Sequence, residues 1–325
     1  MSRRYEGPDW DRAVSALRGA QRIGIATHVN PDGDALGSLL GASLGLRKLG
    51  KETWASWPQT TGKMPPGYDF LPGQEALVTS DRMPAVELFL ALDCGGGDRL
   101  GEFEETFRSA PRSINVDHHP NNDMFATINI VATTASSTSE MVTFLLQDLR
   151  VDIDHHIATC LYTGIVTDTG NFQYTNAGPD TLRLAADLLE YGVEKSAVAQ
   201  AVYETAPFGF LQLAGRVLGR AKLYEDERFI YSTVTREDLK ATDVLMEETD
   251  TLIDLLRSTR DADVAAIFKE KDDGAFRVSM RSTDVSVGAI ARAHGGGGHD
   301  LAAGFTTDDI DSAVEEIVRH LRAGR

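Results

Sequence analysis

His28, Asp32 and Asp34 place three metal-capable side chains within seven residues of one another. Asp93, the run Asp117, His118 and His119, and Asp168 add carboxylates and imidazoles farther along the chain. Oxygen-rich donor sets with some imidazole suit hard divalent cations, Mg²⁺ or Mn²⁺, better than a thiolate-bound metal. The first cluster reads equally as an ordinary loop in which Asp34 caps a helix.

The flanking segments decide how these residues are presented. Residues 23–27 are apolar enough for one buried strand. Residues 35–49 carry Leu36, Leu39, Leu40, Leu44 and Leu46, the spacing of an amphipathic helix. Pro31 and Gly33 keep the turn between them free of either element. A second apolar strand at 86–92 runs into Asp93, and glycines at 95–97 lead to Asp98 and Arg99. A third at 113–116 runs into Asp117, His118, His119 and Pro120. Three apolar strands that each end in a carboxylate or imidazole predict a parallel α/β sheet whose carboxyl-end tips meet at one site.

Other segments fill in the frame. Helices are expected at 9–20, from the Ser137–Glu140 capping box through 149, and at 180–191. Residues 157–167 read as a buried helix, with a strand as the alternative, and lead into Asp168. The proline-rich stretch 57–73 is a loop. Residues 192–213, broken at Pro207 and Gly209, read as a helical connection. Beyond it, strands are expected at 229–234 and 276–281, and helices at 248–258 and 310–322. In 276–281 the period of two sets Ser279 and Arg281 on the face away from the core, and guanidinium suits phosphate. The glycines at 295–298, Gly297 and Gly298 among them, offer backbone N–H groups to an anion and end in His299. Phe172, Tyr174 and His294 read as core packing before they read as base-stacking groups.

The 325 residues suggest about two domains. With 32 basic against 49 acidic residues, the net charge of −17 disfavours tracking along duplex nucleic acid. A short nucleotide at a metal centre stays compatible, because bound cations reverse the local field. Cys94 and Cys160 make no disulfide framework and fit a reducing cytoplasm. No apolar run approaches the ~20 residues of a membrane span, and no apolar core follows the first charges as in a signal peptide.

Taken together, residues 28–34, the strand ending in Asp93, Asp117–His118–His119, and Asp168 resemble, in order, the four motifs of the DHH phosphoesterase superfamily. Ser279–Met280–Arg281–Ser282 and Gly295–Gly296–Gly297–Gly298–His299 resemble its DHH-associated substrate domain. The resemblance implies an N-terminal parallel-sheet domain at 1–191, a linker at 192–213, and a smaller α/β substrate domain at 214–325 across a cleft. It implies that His28, Asp32 and Asp93 hold one divalent metal. Asp34, Asp93, His118 and Asp168 would hold a second, with Asp93 bridging. Two such ions, Mn²⁺ or Mg²⁺, roughly 3.5–4 Å apart would activate water for in-line attack on phosphorus. His119 is implied as a phosphate or leaving-group contact, and Arg99, Ser279, Arg281, Gly297, Gly298 and His299 as substrate contacts.

The branch most resembled is the nanoRNase type, cytoplasmic enzymes that hydrolyse dinucleotides and short RNA and remove the 3′-phosphate of 3′-phosphoadenosine 5′-phosphate. Some members act on cyclic dinucleotides or their products. Alternatives are an inorganic pyrophosphatase, a RecJ-type single-strand exonuclease, and a catalytically dead nucleotide-binding protein. The oligomeric state stays open, a homodimer included. Asp154–His155–His156 spells the tripeptide a second time, but behind a polar segment, so Asp154 reads as an N-cap.

Overall fold

The structure is a computed structural model and describes residues 5–298 and 300–323. The chain divides into two compact units, Met1–Thr205 and Ala206–Arg325. Each has its own sheet and its own apolar core.

In the first unit, helix α1 (Pro8–Gly19) leads to strand β1 (Arg22–Ala26), helix α2 (Gly33–Lys48) and strand β2 (Glu52–Ser56). Strand β3 (Leu88–Leu92), helix α3 (Glu104–Ser109) and strands β4 (Ser113–Asp117) and β5 (Ile128–Val131) follow. Helices α4 (Thr138–Asp148), α5 (His155–Asp168), α6 (Pro179–Leu189) and α7 (Lys195–Tyr203) complete it. The five strands are parallel, in the order β2-β1-β3-β4-β5. Alternation along β3 explains why both faces are covered. Leu88, Leu90 and Leu92 join the large core with α2, α4 and α5, while Phe89 and Ala91 join a smaller one with Phe103 and Phe107. Strand order reverses between β1 and β3, so the chain crosses to opposite sides there and leaves a crevice at the carboxyl ends.

Helix α2 carries glycine at 33, 37, 41 and 45, one per turn on a single face. That face meets α4 and α5. A Cβ on Gly37 would lie 2.4 Å from the Cys160 carbonyl oxygen of α5, so only glycine admits this approach. The close pair brings the first turn of α2, with Asp34, beside the last turn of α5, with Asp168.

The second unit comprises α8 (Phe208–Gly219), β6 (Lys222–Tyr224), β7 (Phe229–Val234), α9 (Arg236–Thr242), α10 (Leu252–Arg257) and β8 (Val264–Glu270). Then come β9 (Phe276–Ser282), α11 (Val287–Ala293), β10 (Gly297–Gly298), β11 (Ala302–Thr307) and α12 (Ile310–Ala323). The mixed sheet runs β10-β11-β9-β8-β7-β6, and only β7 and β8 pair in parallel.

Several expectations need correction. The cap of α2 is Asp32, whose Oδ1 accepts from the Asp34 and Ala35 N–H groups; Asp34 is inside the helix. Ser137 caps α4 by accepting from Glu140 N–H, but Glu140 does not return the bond. Its carboxylate binds the Ser136 N–H and hydroxyl, and the Thr181 hydroxyl. Gly209 lies within α8 and does not interrupt it. The sheet of the second unit has two cores, one on each face, so Ser279 and Arg281 share a face with Ala265 and Ile267 of β8. They are half-buried there and do not point simply away from a core. In the 295–298 run the first two glycines already have backbone partners. The N–H groups of Gly295 and Gly296 bond back to α11 carbonyls at 3.1 and 2.8 Å, and Gly297–Gly298 pair with β11. A Cβ on Gly296 would lie 2.1 Å from the Gly304 carbonyl oxygen, which is reason enough for glycine.

Candidate metal centre

The candidate ligands leave the sheet at its carboxyl end. His28 follows β1, Asp32 and Asp34 open α2, Asp93 follows β3, His118 and His119 follow β4, and Asp168 ends α5. Asp93 lies at their centre. Its φ of 55° is rare for a residue with a side chain and turns the carboxylate inward at the end of β3. His28 Nε2 is 3.4 Å from Asp93 Oδ2, and His118 Nε2 is 3.5 Å from Asp93 Oδ1 and 3.6 Å from Asp168 Oδ2.

Among the described residues, three donor groups, each with its atoms within 4.8 Å of one another, could hold a metal ion: His28, Asp32 and Asp93; Asp34, His118 and Asp168; and Asp93, His118 and His119. Asp93 belongs to two of them.

Backbone fixes Asp34. Helix α4 aims its N-terminus at this carboxylate, with Thr138 N–H donating to Oδ2 at 2.6 Å and Ser139 N–H to Oδ1 at 2.8 Å. The Thr138 hydroxyl donates to Asp93 Oδ1 at 3.1 Å. A Cβ on Gly164 would lie 2.0 Å from Ser139 Oγ and 2.8 Å from Asp34 Oδ1, so α5 leaves the carboxylate its space.

Burial, and then the neighbouring Asp93 charge, pushes the Asp34 carboxyl up to about 7. Burial and the charges of Asp34 and Asp32 hold Asp168 well above the carboxylate range. Burial would raise Asp93 too, but the surrounding imidazoles, His28 first, outweigh it and hold Asp93 low. Burial would lower His28, His118 and His119, but the carboxylates facing them win and raise all three. Among the described residues, the ion pairs of Asp93 and Asp168 are with histidines, and such crowded carboxylates form a site that a divalent cation would neutralise. The donor set is oxygen and nitrogen throughout, so the residues present fit Mg²⁺ or Mn²⁺.

The remaining expected site residues are scattered. Arg99 is half-buried in the 3-10 turn Gly97–Phe103; its carbonyl accepts from Val29 N–H at 3.1 Å, and its charge acts on His28. His119 Nδ1 is 2.7 Å from Asp117 Oδ1 and 3.7 Å from Asp93 Oδ1. Ser279 and Arg281 lie on β9, Gly297 and Gly298 form β10, and His299 lies outside the described residues. Asp154 caps α5 through Ile157 N–H and pairs with Lys48 at 2.9 Å, while His155 and His156 are exposed. His294 stacks on Phe305 at 4.2 Å, and Phe172 packs against the large core.

Sequence reading missed Thr138, Ser139, Asn115, Asn122 and the role of Asp117. The Ser137 cap locates a helix N-terminus but not the carboxylate it faces. Asn115, buried within β4, and the half-buried Asn122 beyond its end carry no periodic signal at all.

A cluster of this chemistry at the switch point of a parallel sheet is what a metal-dependent hydrolase requires. The chain belongs to the DHH family: the model described as DHH family, N-terminal domain, matches residues 22–165, and the DHHA1 domain matches 226–323. It is therefore a metal-dependent phosphoesterase. It is 35% identical over 306 residues to the "Bifunctional oligoribonuclease and PAP phosphatase NrnA" of Thermus thermophilus, covering 92% of this chain and 89% of that one. Similarity to the Bacillus subtilis protein of the same name is 28% over 300 residues, covering 89% and 91%. An exopolyphosphatase-related protein from Bacteroides fragilis superposes with a TM-score of 0.92 at 26% identity, over 99% of this chain and 98% of that one. RecJ of Thermus thermophilus in complex with Mn²⁺ shares the fold, with a TM-score of 0.60 at 14% identity over 97% of this chain and 54% of that one. Among the described residues, no helix is long and apolar enough to cross a membrane.

Proposed function

We propose that this chain hydrolyses short oligonucleotides, dinucleotides and nanoRNA, and removes the 3′-phosphate of 3′-phosphoadenosine 5′-phosphate, using two divalent ions. The observation that carries this reading is Asp93, buried, with one carboxylate oxygen 3.4 Å from His28 and the other 3.5 Å from His118, so that it faces both sets of potential ligands. His28, Asp32 and Asp93 hold one ion; Asp34, Asp93, His118 and Asp168 hold the other. Bound there, the pair supplies an activated water and Lewis-acid neutralisation of phosphate charge. His119 meets a phosphate or leaving-group oxygen, and Arg99 adds positive charge nearby. Ser279, Arg281, Gly297, Gly298 and His299 contact substrate. The similarity to proteins named for both activities supports the substrate class. The net charge of −17 favours small substrates over long polyanions. Buried, unbridged Cys94 and Cys160 suit a reducing cytoplasm.

The test is side-by-side turnover of a dinucleotide, 3′-phosphoadenosine 5′-phosphate, a cyclic dinucleotide and pyrophosphate, in Mn²⁺ and in Mg²⁺. The expected result is preference for the first two, with Mn²⁺ the better activator. Pyrophosphate as the preferred substrate overturns the reading.

A further inference from the structure

Four side chains form a continuous hydrogen-bonded chain behind the metal centre. Asp117 is fully buried, and each of its carboxylate oxygens has a partner. Oδ1 meets His119 Nδ1 at 2.7 Å, and Oδ2 accepts from Asn122 Nδ2 at 2.7 Å. The same Asn122 nitrogen lies 2.7 Å from Asn115 Oδ1 and 3.2 Å from the Cys94 carbonyl oxygen. Asn122 Oδ1 accepts from Met124 N–H at 2.8 Å. Three acceptors surround the nitrogen and one donor meets the oxygen, so the amide has a single sensible orientation. Asn115 Nδ2 also donates to the Cys94 carbonyl, at 3.1 Å.

A carboxylate held at one oxygen can still swing about its last torsion. Held at both, it fixes the ring that it binds. With Nδ1–H engaged by Asp117, the tautomer is set, and the direction of the opposite ring nitrogen, Nε2, follows the carboxylate plane. Asn122 also grips the carbonyl of Cys94, the residue after Asp93, so one amide ties the loop after β3 to the loop after β4.

We propose that Asn122 is a positioning residue that acts through Asp117 to fix the tautomer and direction of the His119 ring. The inference rests on the reading of His119 as a substrate contact. Asn122 itself touches no reacting atom. A simpler role, holding two loops together, makes different predictions.

The kinetic test is a double-mutant cycle. Asn122→Ala should lower kcat/KM for a dinucleotide by about 10–100-fold in the native background, the usual range for such outer partners. In a His119→Ala background the same change should cost less than about threefold, because the residue acted upon is gone. Equal losses in both backgrounds overturn the proposal in favour of a loop clamp. Asn122→Asp keeps the shape but sets a second carboxylate against Asp117, so it should be at least as damaging as alanine. Native-like activity of that variant also overturns the proposal.

A second measurement does not depend on turnover. In the Mg²⁺-loaded protein, ¹H–¹⁵N spectra of the histidine rings should show the His119 Nδ1-bound proton, and Asn122→Ala should shift or abolish that signal. An unchanged signal overturns the positioning role. If the native enzyme turns over none of the nucleotides, the substrate reading fails, while the ring spectra still decide this inference.

Discussion

The Thr138 hydroxyl reaches Asp93 while its backbone N–H reaches Asp34, so one residue at the start of α4 braces two candidate ligands. Thr138→Val preserves the shape and the N–H and removes only the hydroxyl. Calorimetric Mn²⁺ titration and turnover should then show a loss of about 10–100-fold in affinity or rate, with Thr138→Ser restoring most of it. The two histidine tripeptides make a second comparison at this scale. His118 lies within 3.6 Å of both Asp93 and Asp168, whereas His156 is exposed beside Leu44 and Pro72. His118→Ala should nearly abolish activity, and His156→Ala should keep most of it. The reverse ranking would place the metal at the wrong tripeptide. The candidate ligands stood out in the sequence because His28, Asp93 and His118 lie where apolar strands end, and Asp32 and Asp34 lie within a few residues of the first. Their supports were not. Asn122 and Asp117 are five residues apart, and nothing in that spacing says that an amide folds back on the carboxylate.

Among elements, length and contrast governed what could be read. Residues 23–27, 86–92 and 113–116 stand out because buried parallel strands are continuous apolar runs. β2 is Glu-Thr-Trp-Ala-Ser and β5 is Ile-Asn-Ile-Val, edge strands too short and polar to show the pattern. β8 is central and buried, but two alanines and Lys269 dilute it, and the lysine is retained by an ion pair with Asp250. The helix after the first cluster and the buried helix at 157–167 were both read from the sequence, but not the glycine face along which α2 and α5 meet. Gly37→Ala should force α2 and α5 apart, at a cost of about 1–3 kcal/mol or more. Urea unfolding should report that loss, and metal affinity should fall with it, because the same pair brings Asp34 to Asp168.

Asp238 makes an element-scale prediction in the second unit. Its carboxylate closes the capping box of α9 with Thr235 and takes two bonds from Arg220, at 2.6 and 2.7 Å. Burial would raise its pKa, but Arg220 and Thr235 outweigh burial and hold it below the ordinary 3.8. The folded value is thus below the unfolded one, so the unfolded chain binds the proton more readily. The stabilisation is complete above about pH 4 and is lost as pH falls through the folded value. Asp238→Asn should lower stability by about 1–3 kcal/mol at pH 7. Urea midpoints of native and variant should draw together as pH falls below about 4. A gap that does not narrow below about pH 4 would show that the charge is not its source.

At the scale of the whole molecule, the proposed metal ligands and the proposed phosphate-binding arginine fall in different units. Every candidate metal ligand lies in Met1–Thr205, and Arg281 lies in Ala206–Arg325. Arg281 sits on β9 between Ala265 of β8 and Ala302 of β11 in register, so small neighbours leave room around its guanidinium. In a chain of net charge −17, an anionic substrate needs local positive charge to be held at all. Arg281→Ala should therefore leave Mn²⁺ titration unchanged, since it removes no ligand. Substrate recognition should suffer. A charge-assisted hydrogen bond contributes about 1.5–3 kcal/mol, which lowers kcat/KM by about 10- to 150-fold. Arg281→Lys should recover only part of that loss, because an ammonium lacks the planar fork that matches a phosphate. Steady-state kinetics beside a metal titration separates the outcomes. Unchanged kinetics would remove Arg281 from substrate binding, and weakened metal binding would assign it to support of the metal centre.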